Sequence, residues 1–140
     1  MCVLTGAAQV LTETFDPDLI LDIAEKEKAT ILHGFEAHWL DLLSAQEKKQ
    51  RDLNIRLGTL PSGVESTIPI AERVQDVFCP TVSGFGMSET WAFVSISNLS
   101  HSREQRVHSS GYPMNDYEFK VVDFETKEEM PKGEPGELWI

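Results

Sequence analysis

The sequence predicts an α/β fold, a mostly parallel sheet with covering helices followed by a short β-rich C-terminal segment. Three observations predict it. Short apolar or alternating runs at residues 29–32, 54–60 and 80–82 are separated by longer segments of helical period, the alternation that lays helices over parallel strands. Two of these runs end in small-residue loops, Pro61-Ser62-Gly63 and Ser83-Gly84-Phe85-Gly86, which share one carboxyl edge if the strands are neighbours. Beyond Gly111 the helical period gives way to strand patterns bounded by turn residues. The expected organisation is an α/β part over residues 1–97 and a β-rich part over 111–140.

Taken in order, residues 1–11 read as a buried strand and its turn, with Gly6 as the break. Asp16 or Thr14 can cap the helix that follows, Pro17 suits its first turn, and Leu19, Ile20, Ile23 and Ala24 recur on one face. Residues 29–32 form the second strand. Residues 36–50 carry Trp39, Leu40, Leu42 and Leu43 before a polar tract, an amphipathic helix fraying into a charged surface. Residues 54–60 alternate as a third strand. A helix over 64–78 has Ile68, Ile70, Ala71, Val74, Val77 and Phe78 at helical spacing and tolerates Pro69 only in its first turn. A fourth strand delivers the loop at Phe85, and Met87, Trp91 and Phe93 after it can line a substrate channel but read rather as core. Residues 98–110 are polar and aperiodic, a surface loop. A strand at 118–123, a turn-rich hairpin at 125–133 and a strand from 137 complete the chain.

Composition excludes several functions. The chain has 140 residues and a formal net charge of −11, which disfavours nonspecific binding to nucleic acid or anionic membrane. It holds one modest core, and no apolar run is long enough for a transmembrane helix. Cys2 and Cys79 lack metal-ligand spacing and read as small buried hydrophobes of a reducing, cytoplasmic compartment. His101 and His108 read as exposed imidazoles, His33 and His38 as structural side chains of which one can face a substrate pocket. There is no Walker loop, dinucleotide fingerprint or nucleophile elbow.

The most informative segment is residues 83–90, SGFGMSET. Gly84 and Gly86 let backbone approach a planar ring, Phe85 can lie against it, Ser88 can donate to a phosphate, and Glu89 is a hard oxygen ligand for magnesium. Alone, the same residues fit a glycine-rich turn with a solvated glutamate equally well.

The segment resembles the aromatic-Gly-x-Thr/Ser-Glu signature of the adenylate-forming superfamily, which includes acyl-CoA synthetases and luciferases. The tail GYPMNDYEFKVVDFETKEEMPKGEPGELWI is similar to a second signature, a Gly-x-Pro start, a strand ending Val-Asp, a Pro-x-Gly-Glu turn and Gly-Glu-Leu. The resemblance covers nearly the whole chain. It implies the central piece of a large N-terminal domain, hence an incomplete domain, with the lysine-bearing phosphate loop before residue 1 and the ribose-binding aspartate, hinge and catalytic lysine after Ile140. It further implies an ATP-dependent, AMP-forming ligase that joins a carboxylic acid to ATP as an acyl-adenylate and transfers it to CoA.

By match, Glu89 holds magnesium and, with Ser88 on the α-phosphate, serves catalysis. Ser62, Gly63, Ser83, Gly84, Phe85, Gly86, Met87 and Ser88 surround the nucleotide. Ser62 departs from the usual Gly-Gly or Ala-Gly, and Phe85 and Ser88 stand where tyrosine and threonine are commoner. A fatty acid is favoured over an amino acid because no acidic residue here has a clear claim on an α-amino group. The 140 residues alone are expected to be inactive. The competing expectations are a non-catalytic nucleotide-binding or interaction remnant of the fold, and an unrelated α/β domain whose turns mimic the signatures.

Overall fold

The apolar runs predicted as strands pair in chain order, β1 (Ile31–His33), β2 (Leu57–Thr59) and β3 (Thr81–Val82), all parallel. The structure is a computed structural model that describes residues 2–140, with side chains from Leu4 onward. Three helices deliver these strands. In α2 (Pro17–Lys26) the Asp16 carboxylate accepts from the Leu19 N–H at 3.0 Å and Pro17 occupies the first turn, the start its sequence dictates. In α3 (Glu36–Lys48) His38 Nδ1 accepts from the Phe35 N–H at 3.1 Å, satisfying one of the helix's orphan donors. In α4 (Ile68–Val77) Pro69 sits in the first turn, where its missing N–H costs no hydrogen bond.

The core lies between these helices and the parallel sheet. Leu21 of α2, Trp39, Leu42 and Leu43 of α3, Leu60 after β2, and Ala71 and Val74 of α4 form one buried cluster. Trp39 is fully buried, and its Nε1–H donates to the Thr59 carbonyl at 2.9 Å, so the largest core side chain also pins the end of β2. Each leucine and valine among them contributes roughly 1.5–3 kcal/mol by leaving water. Ala24, Ile55 and Cys79 form a smaller cluster beside Phe78. Burial pushes the Cys79 thiol up to about 11, as suits a small apolar filler. The Cys2 side chain lies outside the described residues.

Arg51 ties α2 to the end of α3. Its buried guanidinium donates to Asp18 at 2.7 Å and Asp22 at 2.8 Å, and to the carbonyls of Ala45 and Lys49 at 3.0 and 2.9 Å. Lys49 adds a 2.8 Å bond to Asp22.

At Ser83 the chain leaves the parallel sheet and enters an antiparallel one. This second sheet orders as β4 (Gly84–Gly86), β5 (Phe93–Ile96) and β6 (Tyr112–Pro113), with an irregularity between Phe85 and Gly86. Pairing of Tyr112 with Ile96 joins the residues before 97 to those after 111. The predicted C-terminal strands also pair, β7 (Lys120–Val122) antiparallel to β8 (Glu137–Trp139).

Four expectations are corrected. Residues 2–11 hold no strand: α1 (Cys2–Thr5) is a single helical turn, and residues 4–14 are exposed. A strand persists only where a neighbour takes up its backbone groups, and the outer edge of β1 has no paired strand among the described residues. The polar stretch at 98–110 is not all loop, because α5 (Arg103–His108) forms there behind a reciprocal cap. The Ser102 hydroxyl accepts from the Gln105 N–H at 3.2 Å while the Gln105 side chain accepts from the Ser102 N–H at 3.0 Å. Gly84–Gly86 is strand, not loop. Finally, Met87, Trp91 and Phe93 are not core: they are 41%, 96% and 37% exposed. Trp91 follows a turn of 3-10 helix with a left-handed backbone (φ 67°), which carries it away from the interior.

Candidate functional site

Both glycine segments named by the sequence meet where the two sheets join. The ladder from β2 to β3 continues past Leu60, whose N–H donates to the Val82 carbonyl at 3.0 Å. One step further the partner of β2 is a side chain. The Ser62 N–H donates to Ser83 Oγ at 2.8 Å, and that hydroxyl donates back to the Ser62 carbonyl at 3.0 Å. The Ser83 backbone meanwhile faces β5: its carbonyl accepts from the Ser97 N–H at 2.7 Å and its N–H donates to Ser97 Oγ at 2.8 Å. Ser62, Ser83, Ser95 and Ser97 are all buried.

The hydroxyls extend into a wider network. Ser62 Oγ donates to the Val107 carbonyl at 2.5 Å, and Ser110 Oγ donates to the Ser62 carbonyl at 3.3 Å. Ser95 Oγ accepts from the Phe85 N–H at 3.2 Å and donates to the Ser110 carbonyl at 2.7 Å. Loop 62–63, β4, β5 and the chain after α5 are therefore tied by buried and part-buried bonds, the buried ones costly to leave unmade. Gly63 completes the approach with φ 108°, its Cα turned toward Ser109 and Ser110.

Gly84 and Gly86 have an internal reason to lack side chains. A Cβ on Gly84 would stand 2.7 Å from the Ser95 carbonyl oxygen and 3.0 Å from the Phe93 ring, and one on Gly86 would overlap the Ala92 carbonyl. The two glycines let β5 and Phe93 close on β4. Phe85 between them is half-buried.

Ser88 and Glu89 stand apart on the 3-10 turn Ser88–Thr90. The Thr90 hydroxyl braces it, donating to the carbonyls of Met87 and Ala92 at 3.0 and 3.1 Å and accepting from the Met87 N–H at 3.3 Å. Met87, Ser88 and Glu89 are all exposed. Among the described residues no group of three His, Cys, Asp or Glu side chains could cage a metal. One exposed carboxylate fits a magnesium ion that arrives on a polyphosphate and keeps water and phosphate oxygens as its other ligands.

Beside the site is a cavity of about 290 Å³ lined by His33, Gly34, Phe35, His38, Thr59, Pro61 and Phe93. His33 Nδ1 and Thr59 Oγ1 lie 3.0 Å apart on its wall, and the His38 ring packs against Phe15 at a tilt of 42° with centroids 4.6 Å apart. Pro61 adjoins Ser62, and Phe93 is the ring seated on Gly84, so cavity and glycine site share a boundary. The sequence pointed to His33 or His38 as a wall. It did not single out Ser95, Ser97 or Ser110, whose only signal is serine spaced by two through 95–97 in a segment rich in hydroxyls.

The profile of the AMP-binding enzyme family matches residues 1–140, and the chain belongs to that family. It is 30% identical over 134 residues to the medium-chain fatty-acid–CoA ligase of Escherichia coli, a match covering 96% of this chain and 23% of the ligase. The chain spans about a quarter of the length of the curated relatives it matches. The fold is shared with a luciferase-like enzyme of the mealworm Zophobas morio at TM-score 0.83 and 22% identity, covering 98% of this chain and 34% of that one. It is likewise shared with the O-succinylbenzoate coenzyme A synthetase of Bacillus subtilis, solved with ATP and a magnesium ion, at TM-score 0.76 and 22% identity over 98% of this chain and 28% of that one. No helix among the described residues is long and apolar enough to cross a membrane.

Proposed function

We propose that this chain forms the adenine-side part of an ATP-dependent, AMP-forming acid–thiol ligase that activates a carboxylic acid, a fatty acid by preference, and passes it to CoA. The observation that carries this reading is the direct bonding of loop 62–63 to the start of β4, with an exposed Ser-Glu turn immediately beyond. In this reading the adenine lies against the half-buried Phe85, beside the junction of loop 62–63 with Gly84–Gly86. Ser88 donates to the α-phosphate. Glu89 holds magnesium, which draws off phosphate charge when bound.

The chemical difficulty is electrostatic, since a carboxylate must approach an anionic phosphate. At a net charge of −11 the surface as a whole does not help, so local donors must do so. The cavity beside the site supplies an apolar wall of Phe35, Pro61 and Phe93 for the acid's tail, with His33 and His38 as its polar members. That composition, together with the 30% identity to a medium-chain fatty-acid ligase, supports the fatty-acid preference.

The test is a titration of the chain with ATP, with and without magnesium, alongside Glu89→Gln. The variant is expected to lose about tenfold or more of the magnesium-dependent affinity, the usual worth of a charged ligand bond. Equal affinity in variant and wild type, or binding indifferent to magnesium, would refute the role of Glu89.

A further inference from the structure

The sequence motif puts Ser83 in the ring of residues around the nucleotide, yet its hydroxyl is only 1% exposed as a residue and is occupied on both sides by one backbone unit, Ser62. We infer that Ser83 is a positioning residue, a side-chain strand pair that locks loop 62–63 onto the start of β4 and so fixes where the two glycine segments stand relative to one another. This rests on the reading of that junction as part of the nucleotide site. The bonding pattern is that of a ladder rung in which a hydroxyl takes both roles of a backbone unit, accepting from the Ser62 N–H and donating to its carbonyl.

The arrangement has a geometric cause. At residue 83 the main chain turns its own N–H and carbonyl toward Ser97, so it can no longer serve β2. Without a substitute, the loop following Leu60 would carry a buried, unpaired N–H at the point where the two sheets diverge. A hydroxyl on the shortest possible stem fills that place, and a longer polar side chain would push the loop off β4. The second bond to the Ser62 carbonyl, from Ser110 Oγ at 3.3 Å, approaches from the chain after α5 and cannot replace the bond to the N–H, because a carbonyl group accepts and does not donate. Ser62 contributes differently: its hydroxyl is engaged by the Val107 carbonyl and anchors the loop from below.

The experiment compares wild type, Ser83→Ala and Ser83→Thr by site-resolved amide hydrogen exchange and by MgATP titration. The Ser62 exchange rate is read as a ratio to Leu60, whose N–H bonds the backbone of β3 and reports the sheet itself. In Ser83→Ala that ratio is expected to rise roughly tenfold to a hundredfold, with a parallel fall in ATP affinity, as for a lost buried bond. Ser83→Thr keeps the hydroxyl and is expected to restore both, whereas a role in packing alone predicts that threonine's extra methyl behaves no better than alanine. An unchanged Ser62 to Leu60 ratio in Ser83→Ala would overturn the inference. If Ser83→Ala does not fold, a threonine variant with a raised ratio overturns it equally. Wild-type chain that fails to bind MgATP would contradict the nucleotide reading while leaving the exchange ratio to decide the role of Ser83.

Discussion

Gly111→Ala is expected to lower the stability of the chain by at least about 3 kcal/mol, the range reserved for clashes that the core cannot absorb. Gly111 has φ 83°, a region in which an L side chain is strained, and a Cβ there would fall onto the Ile96 carbonyl carbon and the Ser97 nitrogen. Neither can retreat. Ile96 is paired on both sides, to Gly84 and to Tyr112, and the Ser97 N–H is bonded to Ser83. The matched control is Gly133→Ala, at φ 99° with nothing within 4 Å of its added carbon, where backbone strain alone predicts about 1–2 kcal/mol. Urea unfolding of the two variants measures the difference. Equal losses would mean that the approach of Gly111 to β5 has no energetic consequence.

Arg51→Met is expected to lower stability by about 1–3 kcal/mol, the cost of leaving partly buried acceptors without their donor. The guanidinium is 1% exposed, but its carboxylate partners Asp18 and Asp22 are 62% and 46% exposed, so solvent screens the Coulombic share. The larger part of the loss lies at the end of α3, where the Lys49 carbonyl loses the guanidinium donor and the Ala45 carbonyl keeps only the Lys49 N–H. Arg51→Lys is expected to recover little, since one ammonium cannot span four acceptors held in a planar fork. The acid limb of the stability profile carries a second signature. Hydrogen bonds from Lys49 and then Arg51 hold the Asp22 carboxyl below its ordinary value. Its contribution is therefore present above the unfolded carboxylate pKa, about 3.9, and disappears as pH falls through the lower folded value. In Arg51→Met this acid-side loss shrinks, because one of the two bonds that lower the folded value is gone.

Periodicity was sufficient wherever a helix face or a strand was paid for by its own apolar residues. The α2 cap at Asp16, the position of Pro69 and the three parallel strands all follow from local chemistry. What escaped the sequence depends on partners distant along the chain. Residues 2–11 have the composition of a strand but no strand beside them among the described residues. Trp91 has the hydrophobicity of a core residue, yet the left-handed backbone after residues 88–90 places it 96% exposed, and no local pattern announces that turn. The helix at 103–108 did have a signal, Ser102 three residues before Gln105, hidden among serines that read as loop.

The candidate site was legible in a similar way. Its glycines and the Ser88-Glu89 pair were visible as a motif, and the meeting of both glycine segments followed from strand order. The division of labour within it was not. Ser62 and Ser83 look like ligand donors in sequence because serine is a donor, and only the register past Leu60 and Val82 shows their hydroxyls engaged with backbone.

Photolabelling the chain with 8-azido-ATP in the presence of magnesium tests the central claim most directly. The account predicts label in the peptides that carry Ser62-Gly63 and Gly84-Phe85-Gly86, suppressed by excess ATP. Label that resists competition, or that falls instead on the larger cavity beside residues 7–12 and α2, would contradict an adenine site at the junction of the two sheets.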